Sequence, residues 1–464
     1  MNEENGNISL TNVVNNELFS YSTILIKGFI RNVVDNDSKL LIEHSFNYNA
    51  SNNTSLWTVF KNNFKVILEL KHGDNLITLK YGKSILTTKL VFKPRRTKFT
   101  VQPIYVICSD HDGKFQAPKD HDNSVHVACK KIVLGLKLIQ MLTAEKMDEQ
   151  GFGKKTFQIE NDCQIIKSSL IRESVFKMNP EKLWEHIARE ITANYNSYVK
   201  KFLAFLSCTY WDGKNLHGHV ALGGGGLALF GTGCLYTWPS ELEEILPCFM
   251  NMKKVNTSLL LDDSCFRGNF GGCFSTTLGS VWHEIGHIFD LGHSKYGIMG
   301  RGFDNVHLTF TLDGKNIAQE NVFKKKTYAV YIEENCINNL NDNKIDLPNN
   351  NSSKLCNAIK NNESKTVCWS IGCASILSVH KWFNTFNEKN INENIPNYVK
   401  KRNLITSDIG LKVVQLRHDD GSVIHSWEFF KPNKRIFILP IQHINIGLTI
   451  FAIDLNGNML KQLL

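Results

Sequence analysis

The chain has 464 residues, 42% of them hydrophobic and 21% charged, with a formal net charge of +9. That length accommodates several domains of about 100–200 residues each, and the composition excludes collagen-like, coiled-coil and wholly disordered classes. No stretch of 18 residues is free of polar groups, which excludes a membrane-spanning helix. The basic residues are scattered, with short clusters only at 93–98, 324–326 and 400–402, so nucleic acid is not an expected partner.

Residues 1–20 are polar and Asn-rich and are expected to form a disordered tail. They lack the basic-then-apolar layout of a secretory signal, so a cytoplasmic location is expected. From 21 to 97 the text is a series of short β-type runs, 23–26, 40–42, 64–70, 75–79 and 90–92, with a hairpin turn at 72–75. This reads as an N-terminal all-β sandwich-like module, ending near Pro94.

From residue 98 strands and helices alternate, as in a mixed α/β domain. Strands are expected at 101–108, 155–160, 202–208, 227–230 and 259–261. Helices are expected at 127–150, 180–199 and 276–289, the first with apolar Ile132, Leu136, Ile139 and Leu142 at helical spacing. Residues 335–366 are rich in Asn, Lys and Ser and read as a loop insertion. A helix at 367–386 closes the domain near 390. From 400 to 464 the pattern returns to β, with runs at 411–416, 423–430, 435–439 and 448–453 and a turn at 419–421, a second β module. The 12 cysteines contain no C-x-x-C pair, and reduced, mostly buried thiols are expected.

The chemistry lies in Trp282-His-Glu-Ile-Gly-His-Ile-Phe-Asp-Leu-Gly-His293. On a helix, His283 and His287 fall on one face a turn apart, so both imidazoles reach one Zn²⁺. Glu284 follows the first His and points to the open side of the metal, where it can take a proton from bound water and give one to a leaving amine. A catalytic zinc takes three protein ligands and one open position, and His293, six residues after His287, is the third candidate. Weaker candidates are Asp110-His-Asp112, Asp120-His-Asp122 and His217-Gly-His219, whose plainer reading is polar loop. Gly223 to Gly226 read first as a flexible turn and second as an adaptable rim of a cleft. Arg301 and Asp304 are candidates for a supporting ion pair.

The HExxH core with a third His resembles the metzincin clan of zinc endopeptidases, whose pattern is H-E-x-x-H-x-x-G-x-x-H followed by a turn with a buried Met. Gly297-Ile-Met-Gly300 resembles that Met-turn, with Met299 as the apolar floor under the imidazoles. Asp290 stands where the family has Gly, and the interval from His293 to Met299 is short. Across about 100–390, through Asp112-Gly-Lys-Phe-Gln-Ala-Pro118, Gly223-Gly-Gly-Gly-Leu-Ala-Leu-Phe-Gly231 and His380-Lys-Trp-Phe-Asn384, the chain also resembles an uncharacterised family of zinc metalloproteinases of fungi and invertebrates.

The resemblance implies a metzincin-like α/β (α+β) peptidase domain with a mixed sheet and an active-site helix, flanked by the two β modules. It implies one Zn²⁺ per chain and hydrolysis of a peptide or protein substrate. It also implies an antiparallel edge strand above the metal, expected at Leu227, Ala228, Leu229 and Phe230, and an oxyanion-stabilising Tyr, for which Tyr296 is the candidate. A different class remains open, a catalytically silent zinc scaffold whose β modules bind protein or carbohydrate, as does a zinc hydrolase of non-peptide amides. Loss of turnover with retention of zinc in Glu284→Ala separates the enzyme from the scaffold.

Overall fold

The computed structural model describes residues 8–31, 39–46, 53–312, 366–384, 395–431, 434–440, 442 and 447–464. The first eight strands are β1 (Ile8–Leu10), β2 (Glu17–Phe19), β3 (Thr23–Ile30), β4 (Lys39–Phe46), β5 (Asn53–Phe60), β6 (Asn63–Glu69), β7 (Gly73–Tyr81) and β8 (Ser84–Phe92). Their order is β1-β3-β6-β5-β4-β7-β8-β2. Strand β5 carries the ladder across by pairing first with β4 and then, through Val59 and Phe60, with β6. Alternation sets the faces: in β7, Asn75, Ile77, Leu79 and Tyr81 are buried while Leu76 faces out.

The disordered tail expected at 1–20 needs correction. Residues 8–20 contain two strands, β1 against β3 and β2 parallel to β8. Val13 and Phe19 are buried, and Asn12 bridges Leu25 O and Lys27 N through its amide. Asn-rich composition misled because this amide is spent on backbone groups that would otherwise lack partners.

The second body is built on β9 (Thr100–Ile107), β10 (Gln158–Ile159), β11 (Gln164–Lys167) and β12 (Lys200–Leu206). A small ribbon follows, β13 (Tyr210–Trp211) with β14 (Leu216–His217), then β15 (Ala221–Gly224) and β16 (Leu227–Gly231). The sheet order is β10-β9-β12-β16-β15, with β11 also beside β9. All of these ladders are parallel except β15 with β16, so an antiparallel strand closes one edge.

The helices are α1 (Val125–Glu149), α2 (Arg172–Lys177), α3 (Pro180–Asn194), α4 (Ile245–Phe249), α5 (Phe270–Ile288), α6 (His307–Phe310) and α7 (Ile371–Val379). Ser124 caps α1, and Asn179 followed by Pro180 starts α3. The sheet is covered on both sides. Tyr105, Leu203 and Phe205 share a core with α1, while Ile104, Phe202 and Ala204 face Leu183, Ile187 and Ile191 of α3. Burial on both faces is why these strands read as unbroken apolar runs. Residues 259–261, expected as a strand, form a turn instead, and the expected helix 367–386 is the shorter α7. The expected insertion 335–366 lies outside the described residues except for Thr366.

The third body comprises β17 (Asn397–Val399), β18 (Leu404–Thr406), β19 (Leu411–Arg417), β20 (Val423–Glu428), β21 (Ile436–Ile438), β22 (Thr449–Asp454) and β23 (Met459–Leu463). Strands β20-β19-β22-β23 form an antiparallel sheet, and β17-β18-β21 a smaller one. The main hydrophobic core is continuous. It runs from Ile8 through the N-terminal strands, α1 and α5 to Val413, Phe451 and Ile453. No helix among the described residues is long and apolar enough to cross a membrane.

Candidate metal centre

Helix α5 begins at Asn269, whose side chain accepts from Gly272 N at 2.7 Å. It is buried almost all round, and Trp282 ties it to α1 by donating from Nε1 to Thr143 Oγ1 at 2.9 Å. Its end is a Schellman turn. Asp290 N donates to His287 O and Leu291 N to Gly286 O, with Asp290 at φ +65°. Asp thus takes the left-handed conformation for which Gly is usual. Its carboxylate accepts from His380 Nε2 at 3.4 Å and Lys461 Nζ at 2.5 Å. Burial opposes its ionisation, but the His380 hydrogen bond and the positive charges of Lys461 and Lys201 prevail and hold the carboxyl well below the usual range.

Beyond that turn the chain brings His293 back to the helix. The Nε2 of His287 lies 3.1 Å from the Nε2 of His283 and 3.1 Å from that of His293. Each Nδ1 faces a main-chain carbonyl: Ile298 O for His283 at 2.7 Å, Leu291 O for His287 at 2.9 Å and Asp420 O for His293 at 3.1 Å. A carbonyl only accepts, so each Nδ1 carries the proton and each Nε2 turns a lone pair inward. Three lone pairs converging on one point repel unless a cation lies between them. Two nitrogens each at a zinc–nitrogen distance of about 2.0–2.1 Å, at a tetrahedral angle, stand about 3.3 Å apart. Burial lowers the pKa of all three, that of His287 to about 3, which keeps the imidazoles neutral and able to ligate. Among the described residues this is the one cluster of three or more His, Cys, Asp or Glu placed to hold a metal, and its donors fit zinc.

Glu284 is buried on the same helix, and burial pushes its carboxyl up to about 8 against a hydrogen bond from Gly223 N–H. Gly223 lies on β15, so close to α5 that a Cβ there would sit 2.3 Å from Glu284 O. This places β15, not β16, at the rim of the site. The edge expected at Leu227, Ala228, Leu229 and Phe230 is an interior strand, paired with β12 on one side and β15 on the other. Met299 is buried beneath α5, where a Cβ on Gly286 would meet its Sδ at 2.4 Å. Its carbonyl accepts from Ser294 N at 2.8 Å. Phe303 packs edge-on to the His283 ring at 5.2 Å, and Arg301 pairs with Asp304 at 3.0 Å. Tyr296 is half-buried in the same turn, where its carbonyl accepts from Ser294 Oγ.

The weaker motifs go elsewhere. Asp110 pairs with Arg172 at 3.2 Å, His111 bonds Ser207 Oγ at 2.9 Å and His217 bonds Asp212 at 2.8 Å. The cysteines among the described residues are free thiols. Sequence reasoning missed the carbonyl anchors, which leave no side-chain signature. It also missed the Asp290–His380–Lys461 group and the contribution of residues 417–423.

A family model described as "Putative peptidase family" matches residues 7–380. The chain belongs to that family. Two fungal relatives carry names of zinc metalloproteinases qualified as putative. One, from Saccharomyces cerevisiae, is 27% identical over 289 residues, which is 53% of this chain and 42% of that protein. The other, from Schizosaccharomyces pombe, is 28% identical over 294 residues, 55% of this chain and 46% of its own. The matched stretch thus spans under half the length of these relatives. Among solved structures, wild-type OgpA from Akkermansia muciniphila is similar with a TM-score of 0.43 at 12% identity, over 79% of this chain and 92% of that one.

Proposed function

We propose that the protein is a zinc-dependent endopeptidase with one Zn²⁺ per chain, acting on peptide or protein substrates. The observation that carries this reading is the convergence of the three Nε2 atoms of His283, His287 and His293 beside the buried carboxyl of Glu284. When bound, the ion supplies a Lewis acid that polarises the scissile carbonyl and acidifies water.

The residues of the chain do the rest. Glu284 acts in its ionised form, which the Gly223 N–H favours against the pull of burial: it accepts the proton of the attacking water and returns it to the leaving amine. The antiparallel edge strand β15 offers main-chain groups along which an extended substrate lies as an added strand. This is the role that the metzincin resemblance assigns to such an edge. Met299 packs as the floor below the imidazoles, as in a Met-turn, and Tyr296 is the candidate to stabilise the oxyanion.

The test pairs metal content with turnover. Wild-type protein should hold about one zinc per chain by elemental analysis, and His293→Ala should lose most of it. Glu284→Ala should keep its zinc and lose about 10²–10⁴-fold in peptide cleavage. Cleavage undiminished in that variant would remove Glu284 from the mechanism.

A further inference from the structure

Helix α5 fixes two of the three imidazoles by its own geometry, since His283 and His287 are a turn apart. The third has no such support. After Asp290 the chain leaves the helix, and His293 lies outside any helix or named strand, in an isolated parallel bridge with Ser422. Its groups are taken up by a segment more than a hundred residues later. His293 N donates to Gly421 O at 3.0 Å, Val423 N donates to His293 O at 2.9 Å, and His293 Nδ1 faces Asp420 O at 3.1 Å. Apart from the inward-facing Nε2, every polar group of His293 is thus engaged by residues 420–423, the end of the turn and the first residue of β20 in the β19–β20 hairpin.

A second observation points the same way. Arg417, at the end of β19, is buried and donates from Nη1 to Asp290 O at 2.9 Å, gripping the residue that turns the chain out of α5. Its Nε and Nη2 are held by Gln415 Oε1 at 2.9 and 2.7 Å, and the guanidinium lies 3.8 Å over the Phe451 ring. Lys461 of β23 reaches the Asp290 carboxylate. The last sheet therefore clasps the segment 290–293 at both ends. The stretch that matches the family model, 7–380, contains the three histidines and none of this clasp.

We infer that the β19–β20 hairpin is a positioning element of the metal site: it fixes His293 so that its Nε2 meets those of His283 and His287. Binding of the ion and docking of the C-terminal sheet then reinforce each other, because free-energy coupling between two events is reciprocal. The inference rests on the zinc reading, and the experiment separates the two.

Zinc affinity is measured by competition with a chromophoric chelator, and ligand geometry from the visible spectrum of the cobalt(II) form. Asp420 is exposed and shapes the turn by accepting Ser422 N at 2.8 Å on its carboxylate. Asp420→Ala loosens the turn while leaving the core intact, and Asp420→Asn keeps an acceptor in place. Asp420→Ala should weaken zinc binding by about 10–100-fold, the range found for partners that orient a metal ligand, and alter the cobalt band, while Asp420→Asn restores both. Arg417→Met should act like Asp420→Ala. If it fails to fold, Asp420→Ala decides alone.

In wild-type protein, zinc should slow hydrogen exchange at the Val423 amide. Equal affinity and an unchanged cobalt spectrum in Asp420→Ala, with tight zinc in the wild type, would overturn the hairpin's role and leave the zinc reading standing. A wild type that takes up no zinc would overturn the zinc reading itself.

Discussion

Asp290 is the residue at which this chain departs from the metzincin pattern while meeting the same backbone requirement. A left-handed residue is needed there to end α5, and Gly would meet that need without strain. Asp tolerates it less well, and its carboxylate returns the difference through His380 and Lys461. Its folded pKa lies below the value of about 3.9 in an unfolded chain. The carboxylate therefore stabilises the fold at neutral pH, and that contribution is lost as pH falls through the folded value. Asp290→Asn keeps the tolerance for the left-handed turn and removes the charge. In metal-free protein at pH 7 it should cost about 1–3 kcal/mol in chemical denaturation, and the gap to wild type should narrow below about pH 4. A gap that stays constant with pH would assign the loss to packing instead.

Elements differ in how much of their role a sequence reveals. The helix α5 was legible because a spacing of four residues fixes two imidazoles on one face whatever surrounds them. The edge strand was not. Leu227 to Phe230 form the most apolar run near the site, and such a run marks a strand buried on both faces, which is an interior position. The true edge, β15, is short and half glycine, so it carries little periodic signal. Its glycine is nonetheless required by the close approach to α5. Gly223→Ala would drive a methyl group into the Glu284 carbonyl, a main-chain atom that cannot swing aside. Overpacking of this kind costs about 1–3 kcal/mol. The variant should also lose peptidase activity more steeply than zinc, since β15 moves and the histidines do not. Equal activity in Gly223→Ala would detach β15 from the site.

At the scale of the whole molecule, composition and rhythm suggested separate modules, and the packing joins them. Boundaries drawn where strand text gives way to helix text mark changes of local structure, and they carry no information about where the apolar surface is buried. Arg95 illustrates the joint: its guanidinium donates to Thr156 O, Trp382 O and Phe383 O, so one side chain after the first β body binds two later segments. Lys27 with Glu145 and Lys137 with Glu69 span the same junction at 3.0 and 2.5 Å. With the main core continuous from Ile8 to Ile453, the protein should unfold in a single calorimetric transition, and Arg95→Met should lower it without splitting it. Two resolved transitions would mean that the bodies fold independently.

The clasp on His293 also sets an order in time. A chain made from its N-terminus carries all three imidazoles well before it carries residues 417–423, and in that interval the third is unrestrained. On the zinc reading, a nascent chain thus has all three candidate ligands but no finished metal site. On the proposed role of the β19–β20 hairpin, docking of the β20-β19-β22-β23 sheet completes the site, so hydrolytic capacity would arise only in molecules in which those strands have already folded.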